Sequence, residues 1–158
     1  MAYTFIDLFA GCGGLSEGFH KADGFEFVAA VEWEKDPTQN LIHRLKTKWK
    51  ESKADEKVLR FDIQRTKDLF NGWNDDPEYG SHVGLDKVVG NKTIDIILGG
   101  PPCQAYSLAG RAQDKNSMKD DYRNYLFESY IKVVDQYKPK IFVFENVIGL
   151  LSAKPKDI

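Results

Sequence analysis

Phe5-Ile6-Asp7-Leu8-Phe9-Ala10-Gly11-Cys12-Gly13-Gly14-Leu15 carries an apolar, strand-like segment into a glycine-rich turn. A helix is expected next, from residue 16 to about residue 21. The glycines permit a tight turn and let the backbone come close to a ligand. Strand, glycine turn and helix in that order open an α/β fold whose ligands bind beyond the carboxyl ends of parallel strands. Glu32 closes a second apolar stretch, residues 25–31. An acidic residue at the end of a second strand is placed to accept hydrogen bonds from ribose hydroxyls.

The turn is not a good dinucleotide fingerprint. The third glycine of G-x-G-x-x-G falls on Ser16, and the turn reads G-x-G-G. That third glycine serves close helix–strand packing, so its absence counts against a nicotinamide cofactor. Trp33 either offers an aromatic face to an adenine or packs in a core. A ribose site without a required pyrophosphate site points to S-adenosylmethionine. Asp62, in Phe61-Asp62-Ile63, follows the short apolar Val58-Leu59 and is expected to end a third strand. Its carboxylate could accept from an adenine amino group with Ile63 against the ring, or simply cap a turn.

Two further apolar runs end in reactive groups. Ile94-Asp95-Ile96-Ile97-Leu98 reads as a buried parallel strand, stopped by Gly99-Gly100-Pro101-Pro102-Cys103-Gln104. The prolines remove backbone freedom and fix where the thiol points. Cys103 is then a nucleophile or a small buried hydrophobe. Ile141-Phe142-Val143-Phe144-Glu145-Asn146-Val147 follows Pro139 and places a carboxyl group beyond another strand, expected among apolar neighbours. Glu145 is either a donor to a reacting group or a partner for a basic side chain or turn.

These motifs, in this order and with Arg123 to Phe127 among them, resemble the cytosine-5 DNA methyltransferases over residues 5–147. The resemblance implies a Rossmann-like S-adenosylmethionine-dependent methyltransferase sheet. It places Phe9, Ala10, Gly11, Cys12, Gly13 and Gly14 at the methionine end of the cofactor and Glu32 on the ribose. Trp33, Asp62, Ile63, Pro102 and Leu126 are implied around the adenine or the sulfonium. Cys103 is implied as the nucleophile, and Glu145 as the residue that engages the cytosine ring nitrogen.

The implied chemistry explains the pairing. Carbon 5 of cytosine is too electron-poor to attack a methyl sulfonium directly. Addition of a thiolate to carbon 6 makes an enamine and pushes electron density onto nitrogen 3. Glu145 would stabilise the charge developing there. No metal is required, and His20, His43, His82, Cys12 and Cys103 lack ligand spacing.

A base inside a duplex must be turned out of the stack to be reached, so the implied partner is double-stranded DNA with a flipped cytosine. Residues 104–121 read as a polar closing loop. Within it Gln104, Ser107 and Arg111 supply donors for phosphates or for the gap left by the base. Residues 121–137 look helical, with Tyr122, Leu126, Tyr130 and Val133 or Val134 on one face.

The chain has 158 residues, 42% of them hydrophobic, enough for one domain with a core. A formal net charge of −2 is unhelpful for holding DNA, which relies on clustered Lys and Arg. The basic run 44–53 reads as a solvated helix face. Two cysteines, with no leader or membrane span apparent, suggest a cytoplasmic or nucleoid-associated, reducing location. Residues 65–92 read as a long connection with a short helix near 85–89 and no legible role.

Residues 1–158 correspond to the front of the family's catalytic domain, so the sheet is expected to be truncated after about its fifth strand. The target-recognition region would then be absent, and a complementing chain could supply it. Other readings are an RNA cytosine-5 methyltransferase, a non-catalytic cofactor-binding module and, more distantly, a nicotinamide oxidoreductase. Whether the role is linked to restriction-modification is not legible.

Overall fold

The structure is a computed structural model that describes residues 2–102 and 126–146. Cys103, Gln104, Ser107 and Arg111 lie outside the described residues, as do residues 121–125 of the expected helix.

Five strands form one parallel sheet: β1 (Tyr3–Leu8), β2 (Phe25–Glu32), β3 (Val58–Arg60), β6 (Ile96–Gly99) and β7 (Ile141–Phe144). Their order is β3-β2-β1-β6-β7. The chain moves outward from β1 to β3 and then returns to lay β6 on the other side of β1. This reversal makes a switch point between β1 and β6, where open α/β sheets bind ligands.

β1 is central and apolar on both faces, so Phe5, Ile6 and Leu8 are fully buried. One face packs against α1 (Gly14–Lys21), α2 (Lys35–Thr47) and α3 (Ala54–Lys57), where Phe5, Phe27, Leu41, Leu45, Ala54, Ile96 and Leu98 form one cluster. The other face packs against α4 (Thr66–Asn71), α5 (Leu85–Val89) and α6 (Leu126–Tyr137). On α6, Leu126, Tyr130 and Val133 are buried, as their spacing requires. The Tyr130 hydroxyl donates to the carbonyls of Ile97 at 3.1 Å and Val143 at 3.0 Å, tying β6 to β7.

Three expectations change. The basic run is not one helix face: α2 stops at Thr47, Lys50 takes φ +56°, and Trp49 turns back to stack on His20 at 4.8 Å. Arg44 and Lys48 are engaged with Glu17 at 2.7 and 2.5 Å. The hydrogen bond from Lys48, joined by Lys21, holds Glu17 down at about 2.

Residues 65–92 contain α4 and an antiparallel hairpin of β4 (Trp73–Asp76) and β5 (Gly80–His82) besides the expected α5. The hairpin sequence lacks apolar alternation, and its formation depends on tertiary contacts. The third strand ends at Arg60, so Asp62 lies in the following turn. Among the described residues, no helix is long and apolar enough to cross a membrane.

Candidate active site

The glycine turn is built at the carboxyl end of β1. Ala10 N–H donates to the Val31 carbonyl at 3.1 Å, and Gly13 N–H closes the turn on the Ala10 carbonyl at 2.8 Å. Gly13 has φ +84°, the left-handed region that favours glycine, and a Cβ there would stand 2.7 Å from Leu41 Cδ1, so Leu41 would have to shift. Phe9 also takes a positive φ, +55°. A bulky residue held in that region is strained, and such strain concentrates at sites.

Glu32 stitches this turn to the next. The residue is 9% exposed, and its carboxylate accepts from Gly11 N–H at 2.7 Å and Glu34 N–H at 2.8 Å. Asp62 repeats the device beyond β3: its Oδ1 accepts from Gln64 N–H at 2.9 Å. The turn-capping role considered from sequence is therefore real for Asp62, and it orients the second oxygen.

Between these turns lies a cavity of about 240 Å³, just below the roughly 300–1,000 Å³ of small-molecule sites. Phe9, Glu32, Trp33, Asp62, Ile63, Pro102 and Leu126 line it, all expected from sequence. Ala10, Gly11, Cys12, Gly13 and Gly14 are not in its wall but form the adjoining turn, where Ala10 is buried and Cys12 exposed. Val31, Glu34, Phe61 and Gly100 also line it and had not been singled out. Phe61 and Val31 are the apolar neighbours of residues that had been, and that adjacency was the available signal.

Glu145 stands at the rim. Its backbone N–H donates to the Gly99 carbonyl at 2.8 Å, continuing the β6–β7 ladder. A Cβ at Gly100 would stand 2.7 Å from Glu145 Oε2, so the carboxylate lies against bare glycine backbone in the cavity wall. Contrary to expectation, Glu145 is exposed rather than enclosed by apolar neighbours. Among the described residues, α6 covers this edge strand through Tyr130 against Phe144.

Sequence reasoning missed Asp7. It is fully buried on β1, and among the described residues neither carboxylate oxygen has a hydrogen-bond partner. Burial pushes its pKa up to about 6. The Ser16 hydroxyl and N–H favour the charged form without reaching hydrogen-bond geometry, and Glu32 opposes it. A carboxyl group inside an apolar strand was the signal available.

A larger open groove, about 740 Å³, lies outside the hairpin between Phe70, Trp73, His82 and Asp86. It is not at the switch point, and the strand-end carboxylates do not converge on it, so the smaller cavity is the candidate site.

Comparison with known proteins agrees with this geometry. The profile of the C-5 cytosine-specific DNA methylases matches residues 3–158. The type II methyltransferase M.Bpa9945I of Bacillus paralicheniformis is 38% identical across 94% of this chain and 41% of its own length. M.XorII of Xanthomonas oryzae pv. oryzae is 42% identical across 96% of this chain and 30% of its own length. Among solved structures, a DNMT2 of Spodoptera frugiperda shares the fold. It has a TM-score of 0.56 at 23% identity, covering 97% of this chain and 38% of that one. The chain thus spans about two fifths or less of the length of these relatives. With the family profile matched over residues 3–158 and relatives 38–42% identical across more than nine tenths of its length, this chain belongs to the C-5 cytosine-specific DNA methylases.

Proposed function

We propose that this chain carries the cofactor-binding and nucleophile-bearing part of an enzyme that methylates carbon 5 of cytosine in double-stranded DNA, with S-adenosylmethionine as donor. One observation carries the reading: seven residues expected around the cofactor line one cavity, and the Glu145 carboxylate lies on its glycine rim.

The residues fit the donor. Trp33, 38% exposed at the cavity, offers a ring face for the adenine. Glu32 retains acceptor capacity beyond its two backbone donors, enough for ribose hydroxyls. Asp62 has one oxygen left by its turn for an amino group. Cβ positions at Gly11 and Gly14 open into empty space, which leaves a bare backbone cradle beside the cavity. When bound, the donor supplies an electrophilic methyl group.

The remaining work belongs to the protein. Cys103 is carried over from the family resemblance as the thiolate that adds to carbon 6 of the flipped base. Glu145 holds nitrogen 3 and stabilises the negative charge produced by that addition. Gln104, Ser107 and Arg111 meet the DNA. Target recognition comes from residues outside 1–158 or from a complementing chain. The free Cys12 thiol fits a reducing, cytoplasmic setting.

The test is covalent trapping of the complete enzyme on DNA containing 5-fluorocytosine, with an RNA arm and Cys103→Ser as control. A Cys103-dependent adduct on DNA alone is expected. An adduct that survives Cys103→Ser, or one confined to RNA, overturns the assignment. Calorimetry should give binding of S-adenosylmethionine and none of NADH.

A further inference from the structure

We propose that the β4–β5 hairpin is a positioning element for adenine recognition, acting through Trp73 on the Asp62 turn. The inference rests on the reading above that Asp62 and Ile63 receive the adenine.

β3 has only three residues and is hydrogen-bonded to β2 on one side, so little in the sheet itself holds the turn that follows it. The hairpin supplies the missing support. Phe61, fully buried and immediately before Asp62, lines the cavity and stacks on Trp73 with centroids 3.8 Å apart and planes 19° apart. Tyr79 meets the same ring edge-on at 5.1 Å, and the Arg65 guanidinium lies 4.6 Å over it. Behind Trp73, His82 extends the stack at 5.2 Å. Burial holds the His82 pKa down, and its Nδ1 accepts from Gly84 N–H at 3.1 Å.

Polar ties reinforce the stack from both flanks of the turn. Arg60, before it, donates to the Glu78 carbonyl at 2.7 Å and lies over the Tyr79 ring at 5.1 Å. Arg65, after it, pairs with Asp76 at 2.6 Å, while its own N–H donates to the Asp62 carbonyl at 3.1 Å. Asp76 in turn accepts from Glu78 N–H and Tyr79 N–H, each at 3.0 Å. Arg60, Phe61 and Arg65 thus bracket Asp62 and Ile63, and each of the three ends on the hairpin. Individually such exposed ion pairs contribute little. Convergent on a buried aromatic stack, they leave the turn one arrangement.

A turn held this way sets the direction of the Asp62 oxygen that faces an adenine amino group. A site built to hydrogen-bond a group rejects the analogue lacking it, and that discrimination fails when the acceptor loses its place. The hairpin therefore bears on which purine is accepted more than on whether the cavity exists.

The test compares affinities of the full-length protein for S-adenosylhomocysteine and for its analogue with oxygen in place of the 6-amino group, using Trp33 fluorescence or calorimetry. The variants are Trp73→Ala, Trp73→Phe and Asp76→Asn, the last removing the charge that pairs with Arg65 while keeping an Oδ1 acceptor for the Glu78 and Tyr79 N–H groups. The wild type should prefer the amino form by roughly tenfold or more. Trp73→Ala should reduce that preference to near unity, Asp76→Asn should lower it part-way, and Trp73→Phe should restore it. Equal weakening of both ligands in Trp73→Ala, or an unchanged ratio in Trp73→Ala and Asp76→Asn, overturns the proposal alone. If Trp73→Ala does not fold, an unchanged ratio in Asp76→Asn decides against it. A wild type that binds neither ligand overturns the adenosine reading together with the proposal.

Discussion

At the ends of β1, β2 and β3 the functional groups are already held: Glu32 by two backbone donors, Asp62 by its own turn, Phe61 by the hairpin. At the end of β7 the carboxylate projects. Glu145 is exposed and tied to the sheet through its backbone. The sheet edges differ in the same way. Val58 and Leu59 on β3 are 4% and 0% exposed, whereas Ile141 and Phe142 on β7 are 57% and 58% exposed. Ile141 and Val143 pair with Ile96 and Leu98, and so face the side on which α1 and α2 pack nearer the sheet centre. Among the described residues, the proposed cofactor side is thus enclosed, while the proposed reactive side carries exposed apolar surface. Binding and chemistry should be separable by mutation.

The largest expected effect lies on the reactive side. Glu145→Gln in the complete enzyme should lower kcat by roughly 10²–10³-fold, the usual cost of losing one stabilising group at a developing charge. Affinity for S-adenosylhomocysteine should stay unchanged, and a parallel loss of affinity would erase the division between the two sides. Steady-state kinetics and calorimetry read both.

On the opposite edge, Leu59→Ala removes a fully buried side chain, and denaturant unfolding should show a loss of about 2–5 kcal/mol. A loss under about 1 kcal/mol would mean that β3 is as loosely covered as β7.

Asp7 sharpens the contrast from within the sheet. Its native pKa of about 6 against an ordinary 3.8 means that the folded state binds this proton more tightly than the unfolded chain. Its contribution therefore falls as pH rises from about 4 to 6 and is flat above that, by about 3 kcal/mol in all. Asp7→Asn should remove that slope, measured as the difference in unfolding free energy between variant and wild type across the window. Glu17, with its pKa held low, acts below this range and in the opposite sense. Identical slopes in both proteins would show that Asp7 is not desolvated.

The smallest effect belongs to the β7 edge. Ile141→Thr, β-branched for β-branched at an exposed position, should change stability by no more than about 0.5 kcal/mol in the same measurement. A larger loss would reveal that this face is covered.

Strand ends were readable because parallel strands buried on both faces must be apolar, and the first polar residue beyond each must face the crevice. That logic located Glu32 and Glu145 and the glycine turn by position alone. It failed for residues 73–82, where Trp-Asn-Asp-Asp has no strand period and the hairpin is held by tertiary contacts such as Trp73 on Phe61. It failed again for Asp7, whose meaning depends on what surrounds it.

By itself the order of apolar runs, glycines and strand-end carboxylates determined a parallel α/β sheet, because period and turn chemistry are local properties of the chain, while its motifs carried the resemblance to the family. Tertiary structure alone decided that Phe61 is walled by a hairpin, that Asp7 is buried and desolvated and that Glu145 stands in the open. Burial, desolvation and stacking depend on which distant segments meet, and no local pattern encodes that meeting.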